Sequence, residues 1–179
     1  PYAGDTRPVD DNLRPVNLGP TDDGLESLQR ITTGSVGGDF DPAVSRDGSF
    51  LVFASTQHRA TADLYMQRVG SSAVTQLTSD AGNDVMPSVS PDGQKVAFAS
   101  DRNGAWNIYV MSARGGRAVQ LTSERTADLH PTWSPDGSRL AFCRLGSRSG
   151  QWELWVLEVA RPQTPEFIGY GLLPAWCPV

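Results

Sequence analysis

The sequence predicts an all-β fold that is assembled from one repeated unit, and three observations support this prediction. A short proline motif recurs at Pro42, Pro87, Pro131 and Pro174, with spacings of 45, 44 and 43 residues. The apolar runs, such as residues 50–54, have the length and the aromatic and β-branched content of strands. Glycine or proline turns bound these runs, which excludes a helical repeat of similar length.

Each repeat begins with an inner strand that carries the proline and ends at a tight turn. The turn reads Arg-Asp-Gly in the first repeat and Pro-Asp-Gly in the next two. In such turns proline sets the first corner, aspartate caps the backbone and glycine takes the left-handed conformation. We therefore predict positive φ angles at Gly48, Gly93 and Gly137.

Three more strands complete the predicted repeat. The second strand is almost uniformly apolar, which predicts burial on both faces; it spans Phe50–Ser55, Lys95–Ser100 and residues 139–144. The third strand follows a polar loop and shows an alternation of side-chain character along its length; it spans residues 63–66, 107–110 and 153–156. The fourth strand is short, at residues 74–78, 119–122 and 166–168.

Four antiparallel strands in a repeat of this length form the blade of a β-propeller. We predict complete blades at residues 39–78, 84–122 and 128–168, and a partial blade at residues 171–179 with an inner strand at 174–177. Residues 27–179 form the propeller region, and residues 1–26 form an extended arm or linker rich in proline and aspartate. We expect a leading outer strand at residues 28–32 to pair with sequence beyond Val179 or with another chain, which would complete the ring.

The repeat text resembles the blades of the bacterial TolB family. Residues 90–100, 107–110 and 120–122 carry its Ser-Pro-Asp-Gly, Asn-Ile-Tyr-Val and Gln-Leu-Thr motifs, and the resemblance covers residues 28–179. It implies a periplasmic or otherwise extracytoplasmic bacterial protein, with any signal peptide or lipid anchor upstream of Pro1 left open. TolB also has a separate N-terminal α/β domain, and residues 1–26 are too short for one, so the resemblance implies a TolB-like propeller and not TolB itself.

Composition excludes several classes of protein. The net charge is −5, with 15 basic and 20 acidic residues and no basic stripe, so we predict no nucleic-acid binding. No apolar run approaches the ~18 residues of a membrane helix, so we predict no membrane span. Two histidines and two cysteines are too few for a histidine-built or four-ligand metal centre, and we predict neither metal nor cofactor.

The sequence also offers no catalytic nucleophile, so we predict that the chain is not an enzyme. The sequence contains no Gly-x-Ser-x-Gly elbow. The most similar segment, residues 146–150, has an arginine at the middle position where the elbow has its serine. Ser45, Ser90 and Ser134 recur once per repeat beside a turn, which indicates a structural role. The lyases with similar blades hold a metal with several histidines, whereas here only His130 occupies its repeat position.

An aspartate lies three residues before each of the first three motif prolines, at Asp39, Asp84 and Asp128. These carboxylates could form an anionic ring at the rim of the central channel, which would attract a cation or a basic partner. Alternatively, each caps its own loop through backbone N–H groups. The repetition favours the capping role, because residues that occur once per repeat usually have structural functions.

Tryptophans and cysteines complete the set of candidates. Trp133 and Trp176 occupy inner-strand positions and are expected to fill the core, whereas Trp106 and Trp152 lie beside loops and are expected to be half-exposed. Cys143 and Cys177 are expected to be small buried residues, and a disulfide between them stays open.

These patterns predict a non-catalytic scaffold that binds another protein, alone or within a larger assembly, and the resemblance to the TolB family implies that it belongs to the bacterial cell envelope. The loops at residues 56–62, 101–105 and 145–151, with the connections at residues 79–85 and 123–129, should share one face. The candidate partner-binding residues on that face are Asp84, Asp101, Arg102, Asn103, Trp106, Asp128 and His130. Two alternatives remain: the gating propeller of a larger hydrolase such as a prolyl-oligopeptidase-like peptidase, and a carbohydrate-binding or lyase propeller.

Overall fold

A computed structural model describes residues 37–177, and this part of the chain contains twelve strands and no helix. The predicted arm at residues 1–26 and the predicted outer strand at residues 28–32 lie outside the described residues. The prediction of an all-β fold built from propeller blades is confirmed.

The strands form three antiparallel sheets of four, each in the order of the chain. Blade 1 consists of β1 (Asp39–Val44), β2 (Phe50–Ser55), β3 (Asp63–Arg68) and β4 (Val74–Gln76). Blade 2 consists of β5 (Asp84–Val89), β6 (Lys95–Ser100), β7 (Asn107–Ser112) and β8 (Val119–Gln120). Blade 3 consists of β9 (Asp128–Trp133), β10 (Arg139–Leu145), β11 (Trp152–Glu158) and β12 (Arg161–Tyr170).

The predicted strands differ from the structure mainly at the end of blade 3. The fourth strand was expected at residues 166–168, but β12 has ten residues, because Glu158 pairs with Arg161 across a tight turn and the ladder continues to Tyr170. The inner strand expected at residues 174–177 is not formed, since no strand among the described residues pairs with this segment.

The hydrophobic core lies between the blades and centres on their second strands. In β6, residues 96–99 are fully buried, and the corresponding residues of β2 and β10 are buried to nearly the same degree. This confirms the prediction that the second strand is covered on both faces, and it explains why these strands lack the alternation of a solvent-facing strand. The core is continuous across all three blades.

The inner strand of each blade is interrupted by a bulge at its proline. The ladder shifts register between Phe40 and Ala43, and equivalent shifts occur in β5 and β9. The residue before each proline has a positive φ, from 51° to 55°, at Asp41, Met86, His130 and Leu173. Proline has no N–H to donate to a ladder, so it fits an innermost edge strand at a bulge.

The turn after each inner strand is held by a serine and an aspartate. In blade 2, the Ser90 hydroxyl donates to Asp92 at 2.6 Å, and the backbone N–H of Gln94 donates to the same carboxylate at 3.0 Å. The glycines of these turns have φ angles of 69°, 68° and 72°, which confirms the predicted left-handed conformation at Gly48, Gly93 and Gly137.

Replacement of Gly93 by valine should destabilise the protein, because a β-branched residue is strained at positive φ. We expect a loss of about 1 kcal/mol or more in the free energy of unfolding, measured by urea denaturation. Gly93→Asn should lose less, because asparagine tolerates the left-handed region. Equal stability of the wild type and Gly93→Val would contradict the assigned turn.

Acid should weaken the same turns. Hydrogen bonds from Ser134 and Ser138 lower the pKa of Asp136 from 3.8 to about 2. A carboxylate with a depressed folded-state pKa stabilises the fold above its unfolded pKa, and this contribution is lost as the pH falls from about 4 towards 2. Thermal melts across this range should show a shallower pH dependence for Asp136→Asn than for the wild type, and identical dependences would count against the role of this carboxylate.

Candidate functional site

The loops and connections meet at one end of the blades, which we call the loop face; it comprises residues 56–62, 77–83, 101–106, 121–127 and 146–151. Among the described residues, backbone hydrogen bonds join a connection to a loop four times: Asp84 N–H to Ala62 at 2.8 Å, Asp101 N–H to Asn83 at 3.3 Å, Asp128 N–H to Trp106 at 2.9 Å, and Leu145 N–H to Ala127 at 2.9 Å. The prediction that these segments share one face is therefore confirmed.

In blade 2, the loop face is organised around Arg102. Its guanidinium lies 2.8 Å from both carboxylate oxygens of Asp84 and 2.7 Å from Asp80. It also lies over the ring of Tyr109, at 4.7 Å from the centroid, and over the ring of Phe98, at 5.4 Å. Arg102 thus joins the inner strand, the preceding connection and the aromatic pair of the blade.

Blade 3 builds the same cluster with an arginine from a different position. Arg144 Nε and Nη2 donate to the two oxygens of Asp128 at 2.7 and 2.8 Å, and the guanidinium lies 4.9 Å from the Trp155 ring centroid. Arg144 occupies the repeat position of Ser100, two residues earlier than Arg102. Sequence reasoning missed Arg144, although an arginine in an otherwise apolar strand was a visible signal.

Asp84 and Asp128 therefore have neither of the roles that the sequence suggested. Both are fully buried and bound by an arginine, so they form no exposed anionic ring, and their carboxylates are held by guanidinium groups instead of backbone N–H groups. A buried carboxylate must be compensated by charge and hydrogen bonds, and the arginines provide both. Both carboxylates are already paired with an arginine of their own blade, so we remove both from the candidate interface.

The other loop candidates are partly engaged in the fold. Asp101 accepts hydrogen bonds from the backbone and side chain of Asn83, at 2.6 and 3.0 Å. Asn103 is exposed and donates to the Tyr109 hydroxyl at 2.8 Å and to Gln120 at 2.9 Å. Trp106 is half-buried against the core. A role for these residues in partner binding stays a prediction.

His130 does not join the loop candidates. It is the third residue of β9 and lines an axial groove of about 230 Å³ together with Asp41, Met86 and Leu173. In this groove the Met86 N–H donates to the Asp41 carboxylate at 3.1 Å, which links blades 1 and 2. The sequence placed His130 on the loop face because it lies only two residues after Asp128, whereas the bulge turns it towards the groove.

The tryptophans and cysteines follow the expectations in part. Trp133 is buried, as predicted, whereas Trp176 is only half-buried. Both indoles donate to a carbonyl of the preceding blade, at 3.0 and 3.1 Å. Cys143 is buried, which raises the pKa of its thiol, but Cys177 is exposed, contrary to expectation, and both thiols are free.

Within residues 37–177, no group of three or more histidine, cysteine or acidic side chains is arranged to hold a metal ion. The same residues include no helix long and apolar enough to cross a membrane.

The buried pair in blade 3 should be strongly coupled. Arg144→Met leaves the Asp128 charge without compensation, and we expect a loss of about 3–5 kcal/mol in the free energy of unfolding. The double variant Arg144→Met/Asp128→Leu should recover most of this loss, because it removes both charges. Urea denaturation of both single variants and the double variant measures the coupling, and additive losses would contradict a direct pairing.

Comparison with known proteins assigns the family. The family model for the TolB beta propeller domain matches residues 23–165. No curated protein matches the chain at a significant level.

Several solved structures have the same fold. A protein assigned as TolB from Agrobacterium tumefaciens has a TM-score of 0.69 and 21% identity over 82% of this chain and 56% of its own. TolB from Acinetobacter baumannii has a TM-score of 0.69 and 23% identity over 79% of this chain and 35% of its own. The propeller domain of the Trilobed protease from Pyrococcus furiosus has a TM-score of 0.58 and 15% identity over 77% of this chain and 45% of its own.

The chain thus spans little more than half the length of the Agrobacterium protein and about a third of the Acinetobacter protein. Together with the repeat motifs and the three four-stranded blades, the family match over most of the sequence leads to one assignment. The chain belongs to the TolB beta propeller domain family.

Proposed function

We propose that this chain is a non-catalytic module that binds another protein through its loop face, in the periplasm or another extracytoplasmic compartment of the bacterial cell envelope. One observation carries the proposal. Arginine ion pairs fix the connections of the loop face to the blades, while the tips of the loops expose charged side chains that have no ion pair or hydrogen bond with another described residue. Arg102 and Arg144 each bind an acid of the preceding connection and an aspartate of the inner strand, and so anchor the connections to the blades. Arg125 and Arg148 are exposed and make no hydrogen bond or ion pair with another described residue.

The arrangement suits protein recognition. Loops that are fixed in position lose little conformational entropy on binding, so more of the contact energy appears as affinity. The exposed tips carry both signs of charge, with Arg125 next to Glu124, which favours a mixed-charge protein surface over nucleic acid. The similarity to TolB proteins supports the envelope location.

A second candidate is the propeller portion of a larger hydrolase. The similarity to the propeller domain of the Pyrococcus protease favours it, since such a domain belongs to a longer protein with its own catalytic residues. Hydrolysis of peptide substrates by the full-length gene product would support this candidate. A carbohydrate-binding or lyase propeller has less support, because His130 has no second histidine beside it in the axial groove.

Reversal of the two unengaged charges should weaken partner capture. The double variant Arg125→Glu/Arg148→Glu is compared with the wild type in capture from the native envelope fraction, with quantitative mass spectrometry and with cross-linking from the loop face. We expect the cross-linked partner to fall at least about tenfold, as for the loss of about 1.4 kcal/mol of binding free energy.

The matched control is Arg46→Glu/Arg114→Glu, which makes the same change in charge on exposed arginines at the opposite, turn end of the blades. This control should retain the partner, and melts should show that both double variants are folded. Equal capture by the wild type and the loop-face variant would reject the proposed surface, and peptide hydrolysis by the isolated chain would reject the non-catalytic assignment.

A further inference from the structure

Blade 1 contains most of the arginine cluster seen in blades 2 and 3, but not the arginine. Its aromatic pair, Phe53 and Tyr65, has ring centroids 6.1 Å apart, which matches the 5.8 Å between Phe98 and Tyr109 in blade 2. Its inner strand begins with Asp39, the repeat equivalent of Asp84 and Asp128. Blade 3 has Phe142 paired with Trp155 at the equivalent positions of its sheet, so two aromatic residues and the aspartate recur in all three blades.

The two positions that supply an arginine elsewhere carry neutral residues in blade 1. Gln57 corresponds to Arg102, since each lies 18 residues after its aspartate, and Ser55 corresponds to Arg144. The Gln57 amide donates one hydrogen bond to Asp39 Oδ2, at 2.6 Å. In blade 2, by contrast, the guanidinium contacts both carboxylate oxygens and adds a positive charge.

Blade 1 also has a second acidic group at this site. Asp63 pairs with Ser55 in the sheet, as Glu153 pairs with Arg144 in blade 3. Asp63 is fully buried, and its nearest cation is the half-exposed Arg59, at 3.7 Å. Asp39 and Asp63 pair with Ser55 from its two sides in the sheet, which places both acids beside one position. Burial raises the pKa of Asp63, and burial together with the Asp63 and Asp39 carboxylates raises the pKa of Tyr65.

The carboxylates of blade 1 are not fully satisfied within residues 37–177. Asp39 Oδ1 and Asp63 Oδ1 are both inaccessible to solvent and have no hydrogen-bond partner. Buried carboxylate oxygens of this kind are costly unless a donor reaches them. We call the group formed by Asp39, Asp63, Phe53 and Tyr65 the blade-1 socket.

We propose that the blade-1 socket binds an arginine side chain of the protein partner, so that the partner completes in blade 1 the cluster that blades 2 and 3 complete internally. A planar guanidinium can pair with a carboxylate through two hydrogen bonds while it lies on an aromatic ring, and the chain itself uses this geometry at Arg102 and Arg144. The socket is closed to solvent, and the half-buried Gln57 side chain binds Asp39 at its loop-face side, so the partner's guanidinium enters by displacing the Gln57 amide. The neighbouring His58 is exposed and lies 5.5 Å from the Tyr65 ring. The inference rests on the proposed function and specifies the partner chemistry.

The test uses the full chain and N-acetyl-L-arginine amide as the probe, with N-acetyl-L-citrulline amide as a neutral probe of the same shape. NMR signals of the Tyr65 ring, assigned by their loss in Tyr65→Phe, report on the site. We expect a saturable shift of these signals with the arginine probe, and binding of the citrulline probe should be at least about tenfold weaker, because it cannot form a charge-assisted pair.

Two variants at position 57 make the test specific. Gln57→Arg should supply the guanidinium from within the chain, raise the melting temperature and abolish probe binding. Gln57→Met removes the amide hydrogen bond without adding charge and should still bind the probe. The signals of Tyr109 in blade 2, where Arg102 already lies over the ring, should be unchanged throughout.

Several outcomes would overturn the proposal. These are the absence of a saturable Tyr65 shift with the arginine probe, equal binding of the citrulline probe, and unchanged binding by Gln57→Arg. If only the triple variant Arg7→Gln/Arg14→Gln/Arg30→Gln binds the probe, the chain fills the socket itself and a partner arginine is not involved. Loss of partner capture by the loop-face variant together with a negative probe experiment would uphold the proposed function and reject only the socket.

Discussion

The loop end of blades 2 and 3 depends on one interaction, the pairing of a buried aspartate at the start of an inner strand with an arginine that lies on the aromatic pair of the same blade. Burial of the aspartate is costly without a positive charge, and burial of the arginine is costly without a carboxylate. Arg102 and Arg144 meet both needs and also reach acidic residues of the preceding connections, Asp80 and Glu124. The interaction therefore fixes where each connection enters its blade.

The axial side of the blades follows a different constraint. The innermost strand has a free edge, and the proline there has no backbone N–H that would need a partner in a ladder. The bulge at each proline forces the preceding residue to a positive φ, and at Met86 the exposed N–H is satisfied by Asp41 of the neighbouring blade. Trp133 and Trp176, which occupy the same position in successive repeats, add further links, since their indoles donate to carbonyls of the preceding blade. These contacts cross from blade to blade and complement the apolar core.

The two halves of this organisation suit a binding module. The rigid parts recur once per blade, whereas the side chains that differ between blades lie at the loop tips and around the arginine clusters. Arg144 and Gln57 show this best, because each departs from the repeat at a position that determines the local charge of its blade. Blade 1 has two acids, Asp39 and Asp63, and the half-exposed Arg59, whereas blade 3 has two acids at the equivalent positions and the buried Arg144. Differences of this kind distinguish one blade from another for a partner without altering the fold.

The sequence by itself determined the blades. The proline spacing, the Asp-Gly turns and the apolar second strands predicted the four-stranded units, because turn chemistry and strand periodicity are local properties that one repeat displays in full. The long β12 was missed, since its extent depends on pairing with β11 through Phe167 and Tyr170 and not on its own propensity.

Only the tertiary structure decided the roles of the candidate site residues. Asp84 and Asp128 looked like surface acids, and His130 looked like their neighbour, because sequence position does not reveal which side chain a distant arginine reaches or where a bulge turns the chain. Burial and charge pairing are properties of the assembled blades, and they removed the two aspartates from the surface and brought Gln57, Asp39 and Asp63 together.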